Sequence, residues 1–120
     1  MKKSIDCTID RMASSDEEAW VLSLPLASVP ETIILLASLI HGKLPKVKFA
    51  DKTLSAAIWI APSGYALTLD NSRIAVSKVW VEAVLGMLLD VCLNGWSDIA
   101  HLDQDFENKS VTVLVLPPEK

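Results

Sequence analysis

From Ile74 to Leu93 the chain runs for twenty residues with only Lys78, Glu82 and Asp90 charged. A run of this length can cross a bilayer, so it belongs either in a membrane or in a core. The charges decide, because each is costly at bilayer depth. Together with Gly86 they recur every four residues and draw one polar stripe along an otherwise apolar helix. The run is therefore expected to be a buried core helix, regular from about Val76, and Asn94-Gly95 suits its left-handed end.

A second apolar segment starts at Ser28-Val29-Pro30-Glu31. Ser28 can accept an orphan amide while Glu31 reaches back to it, and Pro30 is tolerated in a first turn. The helix continues through Ile33, Ile34, Leu35, Leu36, Leu39 and Ile40, and Gly42 suits the position past its end. Its polar side is little more than Glu31, Thr32 and Ser38, so it is expected to be covered nearly all round.

Strand patterns fill the rest. Ser4 to Arg11 alternates, with Ile5, Cys7 and Ile9 against Ser4, Asp6, Thr8 and Asp10, which is a strand with one wet face. Trp20, Leu22, Leu24 and Leu26 are two apart, and Pro25 places that segment at an edge or a terminus. Lys46–Ala50 puts Val47 and Phe49 on one face. The runs Leu54–Ala61 and Tyr65–Leu69 are joined by Pro62-Ser63-Gly64, a hairpin signal, and Asp70-Asn71-Ser72 is a turn. Val111–Leu116 is an apolar strand stopped by Pro117-Pro118. The expected fold is a single α+β domain over residues 1–120. A mostly antiparallel sheet of five to six strands carries two apolar helices on one face, and no internal repeat is visible.

Composition narrows the function. With 51% hydrophobic residues and a mean hydropathy of +0.36, the chain can bury enough apolar surface to fold without staples. A net charge of -4 argues against nucleic acid, which needs clustered cations. No apolar run follows Lys2-Lys3, so no leader is expected and the cytoplasm is the expected location. Cys7 and Cys92 are far apart, without a CxxC or a Cys/His cluster. Two small buried thiols are expected, with neither zinc nor another cofactor. P-loop, GxGxxG and HExxH motifs are absent, and Ser63 lacks the GxSxG frame. No enzyme is expected.

The densest polar segment is His101-Leu102-Asp103-Gln104-Asp105, where His101, Asp103 and Asp105 share one face of a strand with Ile99. An imidazole beside carboxylates can hold a metal or act as a base, yet the only other histidine is His41. Partner docking fits better: Asp98, Asp103, Asp105 and Glu107 place four negative charges within ten residues, and Asp16, Glu17 and Glu18 add three. Such a patch steers a basic partner. Trp96 adjoins it as an anchor, while Trp59 and Trp80, in apolar runs, are expected in the core. Lys43, Lys46, Lys48 and Lys52 form an opposite pole, read as a solvated face.

The segment Gly95-Trp96-Ser97-Asp98-Ile99-Ala100-His101-Leu102-Asp103, in a short acidic chain and leading towards a last strand, resembles small bacterial toxin-immunity proteins of contact-dependent growth-inhibition systems. The resemblance implies a cytoplasmic protein that binds a cognate toxin domain, commonly a nuclease, and covers its active site. Asp98, His101, Asp103, Asp105, Glu107 and Trp96 are the expected contact residues. The alternative is a homo-oligomeric structural subunit, a homodimer for instance, that buries its apolar helices between copies.

Overall fold

Two alternating apolar runs from opposite ends of the chain meet side by side. In β3 (Glu18–Leu24), Trp20, Leu22 and Leu24 lie opposite Val111, Val113 and Val115 of β9 (Lys109–Val115), in parallel register. All six side chains are buried. The computed structural model describes residues 4–61, 68–70, 73–98, 100–106 and 108–118. Around this pair a four-stranded sheet takes the order β2-β3-β9-β8, with β2 at Thr8–Ala13 and β8 at His101–Phe106. A second, five-stranded sheet has the order β1-β4-β5-β7-β6, from β1 (Ile5–Asp6), β4 (Val47–Ala50), β5 (Ser55–Ile60), β6 (Thr68–Asp70) and β7 (Arg73–Val76).

The α+β class holds, but the single, mostly antiparallel sheet does not. Both sheets are mixed: β3 and β9 run parallel, as do β5 and β7, with antiparallel hairpins outside them. The expected pairing of Leu54–Ala61 with Tyr65–Leu69 does not hold for Thr68 and Leu69, and residues 65–67 lie outside the described ones. The neighbour of β5 is β7, and β6 pairs instead with β7, placing Asp70 opposite Arg73. Pro62-Ser63-Gly64 lies outside the described residues.

The long apolar run is also divided. Ile74, Ala75 and Val76 are buried in β7, and α2 occupies only Lys78–Asn94. A strand buried on both faces reads as a continuous apolar run, which periodicity alone does not separate from a helix. The break is at Ser77, extended at φ -73 and ψ 148, whose Oγ accepts from Trp80 N at 3.1 Å and caps α2. Gln104 Oε1 of β8 accepts from Ser77 N (3.1 Å) and Ser77 Oγ (3.2 Å), tying the four-stranded sheet to the start of this helix. Among the described residues no helix is long and apolar enough to cross a membrane.

The other helix, α1 (Val29–Ile40), follows a 3-10 turn at Leu26–Ser28. Ser28 is therefore already helical and forms no side-chain cap; its Oγ donates to the Asp6 carbonyl at 2.8 Å. The C-terminus ends as expected. Gly42 has φ +73, Gly42 N donates to Leu39 O and Lys43 N to Ser38 O, the paired bonds of a Schellman cap. The two helices pack against each other, α1 also against β4 and β5, and α2 against β8. Coverage of α1 is incomplete, since Ile34 is 57% exposed.

A repeat invisible in the sequence organises the whole. Hairpin β2-β3, α1 and hairpin β4-β5 are followed by hairpin β6-β7, α2 and hairpin β8-β9. Each sheet takes one hairpin from each half. Leu22–Val113–Leu102 in one sheet corresponds to Ile74–Ile58–Val47 in the other. Even the flanking hydrogen bond recurs, Leu116 N to Leu24 O and Ala61 N to Val76 O, both at 2.8 Å.

The single strand expected over Ser4 to Arg11 is divided: β1 ends at Asp6 in one sheet, β2 begins at Thr8 in the other, and the chain passes between them at Cys7. Cys7 N donates to Ala50 O at 3.1 Å, and Ile9 N of β2 donates to Asp51 Oδ2 at 3.0 Å. Burial first, then the Asp51 and Asp6 charges, push the Cys7 thiol up to about 12. Cys92, expected to be buried, is exposed on α2. Iodoacetamide at pH 8 should therefore modify Cys92 well before Cys7, read by peptide mass mapping; equal labelling would contradict this placement.

The bond from Ile9 N, followed by that from Lys52 N (2.6 Å), holds the Asp51 carboxyl below its ordinary value. A carboxyl lowered in the folded state contributes stability that is present above its unfolded value of about 3.9 and lost as pH falls through the folded one. Asp51→Asn should therefore be less stable than the parent at pH 7, with the gap closing below about pH 4. Urea midpoints at both pH values check this, and a gap that widens in acid would refute it.

Candidate functional site

In the four-stranded sheet, alternate residues divide between a buried face and an open one. The buried face carries Ile9, Trp20, Leu22, Val111 and Val113. Three cross-strand rungs make the open face, each read in the order β2, β3, β9, β8. They are Thr8–Ser23–Leu114–His101, Asp10–Val21–Thr112–Asp103 and Met12–Ala19–Ser110–Asp105, of which Ser23 alone is buried. Side chains opposite one another on such rungs are neighbours.

Carboxylates flank this face on both edge strands: Asp10 on β2, Asp103 and Asp105 on β8, all exposed. Thr112 Oγ1 donates to Asp103 Oδ1 at 2.7 Å and fixes its direction. Between them, Met12, Val21 and Leu114 form a diagonal that steps one strand and one rung at a time. Met12 is 64% exposed, while Val21 and Leu114 are half-buried.

The acidic turn before β3 joins this face at one end. Ser14 Oγ accepts from Glu17 N at 3.1 Å, Asn108 Nδ2 donates to the Asp16 carbonyl, and Glu18 N donates to Asn108 O at 3.0 Å. These bonds staple the β2–β3 turn to the β8–β9 connection. Glu17 and Asp105 thereby line one depression of about 320 Å³, together with Ala19, Ser110 and Lys109. A second depression, of about 260 Å³, lies between Met12, Ser14, Glu17 and Ala19. Glu18 is engaged elsewhere: Arg11 Nε and Nη2 reach its Oε2 at 2.9 and 2.5 Å, and the same guanidinium lies 5.4 Å from the Trp20 ring centroid.

Of the expected contact residues, His101, Asp103 and Asp105 share the open face as their alternation implied. Asp98 is exposed in the turn before β8, off the three rungs. Trp96 is half-buried against the core, and its Nε1 donates to Val115 O at 2.8 Å. Glu107 lies outside the described residues. Asp10, Met12, Val21 and Leu114 were not singled out by the sequence reading. The alternation of β2 and β3 was visible, but not that β9 would bring β8 alongside them.

Of the basic pole, Lys48 lies on β4, and Lys43, Lys46 and Lys52 lie in the loops before and after it. Lys48–Ala57–Arg73 occupies the rung that corresponds to Asp103–Thr112–Val21. There Arg73 lies 5.6 Å from the centroid of Trp59, which is half-buried rather than enclosed in the core; Trp80 is buried.

His101 also lines a cavity of about 190 Å³ with Asp90 and Ser97. Among the described residues no group of three or more His, Cys, Asp or Glu side chains could hold a metal. The arrangement is a charged, partly apolar plane. Comparison of the chain with models of known protein families and with curated proteins gave no match.

Proposed function

We propose that this is a cytoplasmic binding protein that docks a basic partner protein on the open face of the four-stranded sheet. In keeping with the resemblance of residues 95–103, the partner is a cognate toxin domain with a surface made to attract phosphate, and the chain neutralises it without catalysis of its own. The observation that carries this reading is the placement of Asp10, Asp103 and Asp105 on both edges of one uncovered face, with Glu17 at its end. Complementary charge raises the encounter rate and rejects partners of the same sign. Salt screens that steering beyond a Debye length, about 8 Å at physiological strength.

A second reading has its own support. Val79 (68% exposed), Leu89 (44%) and Leu93 (81%) put exposed apolar side chains on the outer side of α2, among Glu82, Gly86 and Asp90, and a homodimer could bury them. The two surfaces are distinct, so mutation separates them.

The test is capture of the partner from the producing cell, its identification, and stopped-flow association at two ionic strengths. A basic toxin domain should associate more slowly as salt rises. Changing Asp103 and Asp105 together to Asn should slow association at low salt and leave the thermal midpoint within a few degrees. If one of these carboxylates is buried against a cation, about 2–5 kcal/mol of affinity should be lost as well. Unaltered affinity in the double variant, or a chain found only as a homodimer that α2 substitutions dissociate, would overturn the proposal.

A further inference from the structure

The acidic edges say what charge docks; the apolar diagonal between them says what shape. We infer that the occupant of the open face is an amphipathic α-helix, basic along both flanks, seated on Met12, Val21 and Leu114. This rests on the proposed reading of the face as a docking surface for a basic protein and adds the form of the docking element.

Size supports a helix. Four strands at about 4.8 Å spacing make a face roughly 14 Å across, and a helix with its side chains is about 10–12 Å wide. A helix over the middle strands therefore brings cations on its two flanks towards Asp10 on one edge and Asp103 and Asp105 on the other. Its apolar stripe meets Val21, Leu114 and the unbranched, adaptable Met12, whose side chain is 64% exposed. The depressions beside Ala19, of about 320 and 260 Å³, give room for long basic side chains next to Glu17 and Asp105.

The repeat supplies an internal comparison. On the equivalent rung of the other sheet Asp70, Arg73, Ala57 and Lys48 stand where this one has Asp10, Val21, Thr112 and Asp103, so the fold itself requires neither a carboxylate at the position of Asp103 nor an apolar side chain at that of Val21. An extended strand added to β2 or β8 would bond through backbone at the sheet edge and leave the diagonal uncovered. Nucleic acid is disfavoured by the sign of the charge.

Two synthetic 18-residue peptides of identical Lys, Arg and Leu content, added to the full-length chain at low salt, test this. One is patterned at helical period; the other is reordered so that no amphipathic face forms. The helical peptide should bind at least about tenfold more tightly and gain helicity by circular dichroism on binding. Met12→Lys, at an exposed position, and Val21→Lys, at a half-buried one, should each remove that preference, with the thermal midpoint confirming that the variant is folded. Equal binding of both peptides without induced helicity would overturn the helical occupant while leaving an acidic docking face. Binding of neither would overturn both readings. A preference that survives Met12→Lys and Val21→Lys would place the helix elsewhere and overturn the inference.

Discussion

The parallel pairing of β3 with β9 is the constraint on which the rest depends. It sets Trp20, Leu22 and Leu24 beside Val111, Val113 and Val115, so the last strand closes on the first hairpin across almost the whole chain. Burying six such side chains is worth on the order of 10–20 kcal/mol by the usual area scale of about 25 cal/mol per Å². The same pairing brings β8 with it, because β8 is the hairpin partner of β9. Without that closure, Asp103 and Asp105 would have no Asp10 opposite them. The open face is a by-product of how the core closes.

The repeat explains why both sheets are mixed. Each half is a hairpin, a helix and a hairpin, and each sheet joins hairpins from different halves through a central parallel pair. Hairpins are local and antiparallel, whereas the joins are parallel, one across nearly the whole chain and the other only past β6. With the central positions filled by Leu22, Ile74, Val113 and Ile58, the two sheets share a plan without sharing a sequence. Equivalent outer positions then diverge in part: Asp103 and Val21 on one sheet answer to Lys48 and Arg73 on the other, while Asp10 answers to Asp70. Charge at solvent-facing positions is not set by packing, which leaves it available for recognition.

Much of the local structure was legible. The alternation of Ile5 to Ile9 and of Val47 to Phe49, the period of α2 and the glycine ends at Gly42 and Gly95 all follow from side-chain geometry and backbone freedom. The shared face of His101, Asp103 and Asp105 was legible too, since period two needs no knowledge of neighbours. The strand Ile74–Val76 was not, because burial on both faces erases alternation. The cap expected of Ser28 was lost to a preceding 3-10 turn that no local signal announced. Sheet order was hidden for a deeper reason. Apolar alternation states which face of a strand is buried but not which strand lies beside it, so Val21 and Leu114 gave no sign of forming one surface with Asp103.

The central claim is that the open face of the four-stranded sheet receives a basic partner. Amide chemical-shift mapping of the full chain, titrated with the helically patterned Lys/Arg/Leu peptide, tests it most directly, because the repeat builds a control into the same spectrum. The account predicts that Asp10, Val21, Thr112 and Asp103 shift together while the equivalent Lys48, Ala57 and Arg73 stay in place. Shifts confined to the outer side of α2, at Val79, Leu89 and Leu93, or falling equally on both sheets, would contradict it.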